Sequence, residues 1–297
     1  MPVIARSAAA SMGGTIELNF YLEIPEKLLN DKASYVTMEK GTKSTKALIK
    51  DAPKTKVGGK TVRRFTIPVN AKEMRDEIVI RAYDGNGKKF QLRNGSGNYL
   101  TDSGVTYSVS KYCEAVIASS TDAKMVKLAT AMMDYGTASQ IYFGYNADGL
   151  EIDPRVRKVG KQTIIDAYST VKTGTAPTGV AGLSLSISLE NNTRVRVYLT
   201  YADGVGSGRF AYYVDGDKKS ITKTSGGKFY LEKTGIPAKS LDQPIEFTVS
   251  GQGKSQTVKV SALSYAAMLC NSGVDKSVWL GKALYLYNQA AKAYFAK

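Results

Sequence analysis

The sequence predicts an α+β protein of two tandem lobes, each an antiparallel β-sandwich followed by a pair of α-helices. The main observation is an internal repeat. The first half closes with residues 131–135 and then 142–143, and the second half closes in the same way with 283–287 and 294–295. In both halves, short alternating segments with glycine-rich turns come before two helical segments, a pattern typical of a sandwich with appended helices.

Length and composition fit two globular domains. The chain has 297 residues, of which 43% are hydrophobic, and two copies of about 145 residues could each hold a core. We expect a first lobe over residues 12–146, a linker with a candidate short helix over 147–182, and a second lobe over 183–297. No apolar run approaches the ~20 residues that cross a membrane, so membrane insertion is not expected.

The strands are predicted from alternation of apolar and polar residues. Ile16, Leu18 and Phe20 alternate with polar positions, which indicates a strand with one buried face. Further strands of the first lobe are predicted over 35–38, 62–67 and 78–83. Those of the second lobe are predicted over 195–199, 210–214, 228–231, 245–249 and 256–260.

Two helical segments follow the strands in each half, over 110–118 and 123–143, and over 262–271 and 276–295. Their apolar residues recur at steps of three and four, so we expect each helix to pack on its own lobe. Cys113 and Cys270 lie in the first helix of each half but not at matching positions, which favours buried thiols over a disulfide.

The residue inventory limits the chemistry. The chain contains no histidine and two cysteines, which excludes Ser-His-Asp and Cys-His catalysis, His-ligated zinc and a four-thiolate site. An enzyme would need paired carboxylates, and the sequence forces no such pair together. We therefore expect a protein without catalytic residues, a metal site or a cofactor.

The net charge of +15 has two interpretations. It is either a solvated face that aids solubility or an attraction to an anionic polymer. No helix-turn-helix, zinc-finger or RNA-binding signature accompanies the charge, so nucleic acid is not an expected partner. The basic residues crowd one early segment, made of Lys40, Lys43, Lys46, Lys50, Lys54, Lys56, Lys60, Arg63 and Arg64.

The second long helix differs between the copies. When Tyr135 is aligned with Tyr287, Trp279 matches Lys127 and Leu286 matches Asp134. Positions 127, 131, 134 and 138 lie on one helical face of the first copy, which we call the 127–138 face. Their counterparts, positions 279, 283, 286 and 290, form the 279–290 face of the second copy. The first face suits water and the second must be covered. The cover is either the other lobe or the linker, or Trp279 is an exposed platform that a ligand covers.

Several tyrosines are candidates for outward aromatic side chains. If Phe210 and Phe229 point into the core, strand alternation places Tyr230 outward, together with Tyr212 or its neighbour. Tyr201 follows a strand end, and Tyr99 lies with Phe90 in a longer loop of the first copy, over 84–104. Flat rings can stack on the C–H face of a sugar. The candidate ligand-binding residues are Trp279, Tyr212, Tyr230, Tyr201 and Tyr99.

Several motifs resemble a repeat found in surface and secreted proteins of anaerobic Firmicutes. They are YSVSKY at 107–112, AMMDYG at 131–136, YFGYN at 142–146 and LYLYNQAAKAYF at 284–295. The chain looks in particular like the bilobed domain of ruminococcal starch adherence system (amylosome) proteins. That resemblance implies a sandwich followed by helices that binds α-1,4-glucans. The candidate residues above come from comparing the two copies, and none is carried over from the family.

The expected function is therefore a non-catalytic carbohydrate-binding module that binds starch or other α-1,4-glucans by aromatic stacking at a bilobed groove. Its partners would be an α-glucan polysaccharide or maltooligosaccharide, with other subunits of an extracellular complex as further candidates. We expect a monomer at the cell surface or outside the cell, with the signal peptide outside the given chain. The alternative is a surface adhesion or structural module whose basic face binds an anionic polymer or a protein partner.

Overall fold

The fold is α+β, as the sequence predicts. In a computed structural model, residues 2–11, 15–188 and 193–296 are described, and they form seven α-helices and four mainly antiparallel sheets. The chain divides into two compact units. The first unit contains Met1–Met12 and Ile16–Thr121, and the second contains Gly13–Thr15 and Asp122–Lys297.

The first unit is built from two sheets and two helices. Their order along the chain is β1 (Val3–Ser11), β2 (Glu17–Glu23), α1 (Glu26–Asn30), β3 (Tyr35–Lys40), β4 (Lys43–Leu48), β5 (Lys54–Val57), β6 (Lys60–Pro68), β7 (Ile78–Tyr83), β8 (Leu92–Asn94), β9 (Val105–Tyr107) and α2 (Val109–Ser119). One sheet has the order β5-β6-β2-β1-β8 and the other β4-β3-β7-β9.

Alternation along these strands builds the core of the first unit. Leu18, Phe20 and Leu22 of β2 are fully buried, as are Val36 of β3 and Ile80 of β7. This pattern is that of a β-sandwich-like pair of sheets with one apolar face each. The strand β1 lies ahead of residue 12, where the predicted first lobe begins, and pairs with β2 over Ile4 to Ser11.

The second unit contains five helices and nine strands among its described residues. They are α3 (Ala123–Phe143), α4 (Pro154–Lys158), α5 (Lys161–Ala167), β10 (Val171–Gly174), β11 (Val180–Ser188), β12 (Arg194–Tyr201), β13 (Ala211–Val214), β14 (Asp217–Lys219), β15 (Thr222–Lys223), β16 (Phe229–Lys233), β17 (Ile245–Gly251), β18 (Lys254–Val260), α6 (Ala262–Asn271) and α7 (Asp275–Phe295). The sheets have the orders β10-β18-β17-β13-β14 and β11-β12-β16-β15.

The long helix α3 belongs to the second unit, where it packs along α7. The rings of Tyr135 and Tyr287 stack with centroids 5.4 Å apart and planes inclined by 12°. The sequence matches these two residues across the repeat, so the helices meet through equivalent positions. The expectation that α3 packs on the first lobe is not what the structure shows, and the division falls between residues 121 and 122 rather than within the predicted linker, residues 147–182.

The 127–138 face of α3 is not the water-facing surface that the sequence predicts. Lys127 is exposed, but Ala131, Asp134 and Ala138 are buried. The side chain of Asp134 pairs with Arg155 of α4, with 3.4 Å between Nη2 and Oδ1. Packing with α4 and α7 therefore covers a face whose residue types alone suggest solvent.

The helices α6 and α7 approach closely at Gly281. A Cβ atom at this position would lie 2.7 Å from the carbonyl oxygen of Ala266 and 2.9 Å from Sγ of Cys270. Glycine is required here because the Cβ atom of any other residue would clash with α6, and not because of the backbone conformation.

Cys113 and Cys270 are free and buried, as predicted. Burial raises the pKa of the Cys113 thiol to about 12 and that of Cys270 to about 11.

The two units differ in the connection that precedes their last strand. In the first unit, residues 84–104 leave β7, form β8 and return to β9. In the second unit, a tight turn joins β17 to β18, with φ of 55° at Gln252 and 72° at Gly253, as a two-residue hairpin turn of positive φ requires. None of the described helices is long and apolar enough to span a membrane.

The unit boundary predicts how fragments will behave. A fragment of residues 122–297 should unfold cooperatively, because it retains the packing of α3 on α7. A fragment of residues 147–297 should lose cooperative unfolding or become much less stable, because the α3-facing side of α7 would be exposed to water. Thermal unfolding followed by circular dichroism measures both. Equal stability of the two fragments would contradict the assignment of α3 to the second unit.

Candidate functional site

A cleft in the first unit brings aromatic and basic side chains together. Its volume is about 540 Å³, and we call it the Tyr99 cleft. The residues that line it are Pro2, Lys27, Lys88, Lys89, Phe90, Gln91 and Tyr99. All but Pro2 and Lys27 come from the 84–104 connection, so the cleft exists because the first unit has this longer segment.

Backbone hydrogen bonds hold the 84–104 connection in place. The side chain of Asp84 accepts from the amides of Asn86 and Lys88 at 3.0 and 2.9 Å, which closes an Asx-type turn. The amide of Gly85 donates to Asp31 at 2.6 Å. This bond, followed by that from the Ala33 amide, lowers the pKa of Asp31. The cleft wall is thereby anchored at its start.

The second part of the connection is anchored to both sheets of the first unit. The amide of Phe90 donates to the carbonyl of Ala82 in β7 at 2.9 Å. The strand β8 then pairs in parallel with β1, with Val3 opposite Leu92. Leu92 is fully buried. Burial of this aliphatic side chain stabilises the position of the segment that contains Phe90 and Tyr99.

Tyr99 is presented as an oriented ring. Tyr99 is 57% exposed, more than any other exposed large apolar residue in the described part of the chain. The guanidinium of Arg93 lies 4.0 Å from the ring centroid and also donates to the Tyr99 hydroxyl. Cation–π stacking and the hydrogen bond together restrict the ring. One ring face is thereby supported by Arg93 while much of the side chain still reaches solvent.

The cleft is electropositive. Lys27 lies with Nζ 5.8 Å from the centroid of the Phe90 ring, and Lys88 and Lys89 lie along the same wall. No carboxylate is among the described lining residues. Such a site can stack a flat apolar surface, donate hydrogen bonds to oxygen atoms and attract an anion.

The second unit carries a different aromatic surface, the tyrosine face, made of Tyr198 and Tyr230. The two residues are directly opposite on β12 and β16, with ring centroids 5.5 Å apart and planes inclined by 52°. The guanidinium of Arg196 lies 4.7 Å from the Tyr230 ring and pairs with Glu232. The rings are half-buried, on the side of the sheet opposite the buried Val195, Val197, Leu199 and Leu231.

Tyr230 thus lies on the outer face where strand alternation predicts it, and its neighbour Tyr198 is a residue that the sequence reasoning missed. The signal for it was present. Arg194 and Arg196 are outward positions of β12, and Tyr198 is the next residue of the same parity.

Tyr201 and Tyr212 are turned inward, which corrects their prediction as ligand contacts. Tyr212 is 5% exposed, and its hydroxyl lies 2.6 Å from that of Tyr201 and donates to the Ser207 carbonyl at 2.6 Å. The Tyr201 ring stacks on Phe210 at 5.5 Å. Burial raises the pKa of both phenols.

Strand parity explains this orientation. Tyr212 has the parity of Val214 in β13, and Tyr201 has the parity of Val197 and Leu199 in β12; all three aliphatic residues are buried. The hydroxyl pair and the stack close one end of the core of the second unit, so these two tyrosines have a structural role.

Trp279 is half-buried on α7. On the same 279–290 face, Ala283 and Ala290 are fully buried. The helices α3, α4, α5 and α6 all contact α7, and Nζ of Lys282 donates to the carbonyl of Arg157 in α4 at 3.0 Å. Packing of helices within the second unit, including those of the predicted linker, accounts for the burial of Ala283 and Ala290, while Trp279 and Leu286 stay half-buried.

The five predicted residues therefore do not form one site. Tyr99 lies in the cleft of the first unit. In the second unit, Tyr201 and Tyr212 contact each other in the core, while Tyr230 lies on the tyrosine face and Trp279 on α7. Within the described parts of the chain, no group of three or more His, Cys, Asp or Glu side chains could hold a metal ion.

No protein-family model matches the chain. No match is found among curated proteins.

Asp134 offers a test of the covered face on α3. Burial raises its pKa, with Arg155 opposing the effect. A raised pKa means that the folded state binds the proton more tightly than the unfolded state, so the stability this gives is lost as the pH rises from the ordinary value of 3.8 through the folded pKa. Asp134→Asn should therefore raise the melting temperature by a few degrees at neutral pH, and the gain should shrink below about pH 4.

The control is Asp153→Asn, which removes the other carboxylate partner of Arg155 from a more exposed position and should change the melting temperature little. If Asp134→Asn lowered the melting temperature at neutral pH, the ion pair with Arg155 would outweigh the cost of burying the charge.

Proposed function

We propose that the protein is a non-catalytic glycan-binding module and that the Tyr99 cleft holds the sugar. The observation that carries this proposal is the exposed, Arg93-supported ring of Tyr99 in a cleft with Phe90 and Gln91. A pyranose needs an apolar platform for its C–H face and polar groups for its hydroxyls. Aromatic walls with a few polar groups are typical of ligand clefts.

An α-1,4-glucan is the leading ligand. The resemblance of the repeat to bilobed amylosome proteins supports this choice, and so does a ring platform, which suits a neutral sugar. We propose further that the chain is a duplication of a sandwich with a helix pair, and that it acts as a monomer at the cell surface or in an extracellular complex. Maltooligosaccharides are the smallest ligands expected.

An anionic polymer is the second candidate, and the cations of the cleft favour it. Lys27, Lys88, Lys89 and Arg93 surround the two rings without a carboxylate in the lining. The basic run over 40–64 supports this less, because much of it has another explanation. Lysines on β4 and β5 lie on edge strands, where charge prevents strand pairing between molecules, and Lys40 pairs with the nearly buried Glu73.

Substitution of the platform tests the site. Tyr99→Ala should weaken the binding of amylopectin and maltoheptaose by about tenfold or more, because the stacking surface is lost. Its folding should be unaffected since the side chain is exposed. Retardation in amylopectin gels and isothermal titration calorimetry measure the binding.

Tyr230→Ala is the matched control, since it removes a half-buried tyrosine from the tyrosine face of the second unit. It should bind as the wild type does. If the wild type migrates unchanged through amylopectin, the glycan proposal fails. If Tyr230→Ala abolishes binding while Tyr99→Ala retains it, the sugar site is the tyrosine face instead.

Ionic strength separates the two candidate ligands. Binding of a neutral glucan should change little between about 50 and 500 mM NaCl, whereas binding of a polyanion such as polygalacturonate should fall steeply. Lys88→Glu with Lys89→Glu should remove polyanion binding and spare much of the glucan binding. Lys54→Glu with Lys56→Glu, on the edge strand β5, is the charge-matched control. If this control variant lost polyanion binding to the same extent, the anion site would lie outside the cleft.

A further inference from the structure

The edge strands of the four sheets are protected unequally. β4, β5, β10, β14 and β15 each carry at least one lysine, and β8 carries Arg93. β9 carries no charge but has three residues. β11 is the exception: it has nine residues, VAGLSLSIS, and none is charged. A long uncharged edge strand is a template for pairing with another chain.

The first unit shows how an equivalent edge is covered. β1 and β11 are each the first strand of their repeat, and each pairs antiparallel with the next strand. In the first unit, β8 adds to the outer edge of β1 in parallel, with Val3 opposite Leu92 and Ala5 opposite Asn94. In the second unit, the Gln252-Gly253 turn replaces the connection that supplies β8. Among the described residues, β11 pairs with β12 alone.

An apolar crevice lies beside the open edge. Its volume is about 360 Å³, and we call it the β11 crevice. Leu183 and Leu185 of β11 line it, together with Val197, Val258 of the other sheet and Met268 of α6. Met268 is 49% exposed. In the first unit the added strand β8 buries Leu92 completely, whereas no described residue of the second unit supplies such a side chain at the edge of β11.

We propose that the edge of β11 binds an extended segment of a partner protein by β-strand addition. Backbone hydrogen bonds to β11 would supply affinity, and an aliphatic side chain in the β11 crevice would supply specificity. The segment would be uncharged where it pairs, with acidic residues at its flank, because Lys172 lies at the crevice. A second copy of this chain is a poorer occupant, since each copy carries a net charge of +15.

The test uses a synthetic acetylated peptide of alternating threonine and leucine with glutamate at both ends. Fluorescence anisotropy measures its binding, and hydrogen exchange measures protection of residues 180–188. Ser184→Lys, at an exposed position of β11, gives this edge the charge that other edges carry, and should weaken binding by about tenfold or more. Met268→Glu should do the same by placing a charge at the crevice.

The matched control is Ile117→Glu, which changes an apolar residue of α2 that is 41% exposed and should leave binding unchanged. A second control is the same peptide with alternate backbone amides methylated, which keeps its side chains but removes donors along one edge. It should bind weakly.

Three results would overturn the proposal. The first is no protection of residues 180–188 at millimolar peptide, and the second is equal binding of the methylated peptide. The third is protection of β11 that rises with protein concentration in the absence of peptide, which would make a second copy the occupant.

Discussion

The packing of α3 on α7 is the contact on which the second unit depends. Tyr135 and Tyr287 stack across it, and Gly281 lets α7 approach α6 on another side. Since α4 and α5 also contact α7, this helix is surrounded by others over much of its surface. The face of α7 that looks like a binding surface on an isolated helix is therefore partly covered: Ala283 and Ala290 are buried and Trp279 is half-buried. The proposed binding features lie on strands and on loops instead.

The sequence predicted the elements better than their partners. Alternation located nine of the eighteen described strands, and the three-four spacing located the long helices, because burial of one face imposes both periods. The same spacing does not predict which surface the apolar stripe will contact, and in the structure α3 packs on α7. Asp134 was read as a solvent position because its residue type is polar. In the fold its carboxylate is buried and pairs with Arg155, which comes from the segment predicted as a linker.

The candidate site could be predicted only in part, for similar reasons. Tyr99 was found because the two copies differ in length at 84–104. The support that Arg93 gives its ring depends on β8, the strand that carries Arg93. Tyr201 and Tyr212 had the parity of buried neighbours, so a strict count along each strand would have placed them inside. The role of the lysines could not be predicted without the order of strands in each sheet, because that order shows which lysines lie on edge strands.

The burial of both thiols has a practical consequence. Cys113 and Cys270 are fully buried, and their raised pKa values leave almost no thiolate near neutral pH. Because the thiolate is the species that attacks maleimides and iodoacetamide, the native chain should be nearly inert to these reagents. A single cysteine introduced at an exposed position would then accept a fluorophore or spin label selectively. Both native cysteines could stay in place, so the chain is a ready scaffold for distance and environment measurements in solution.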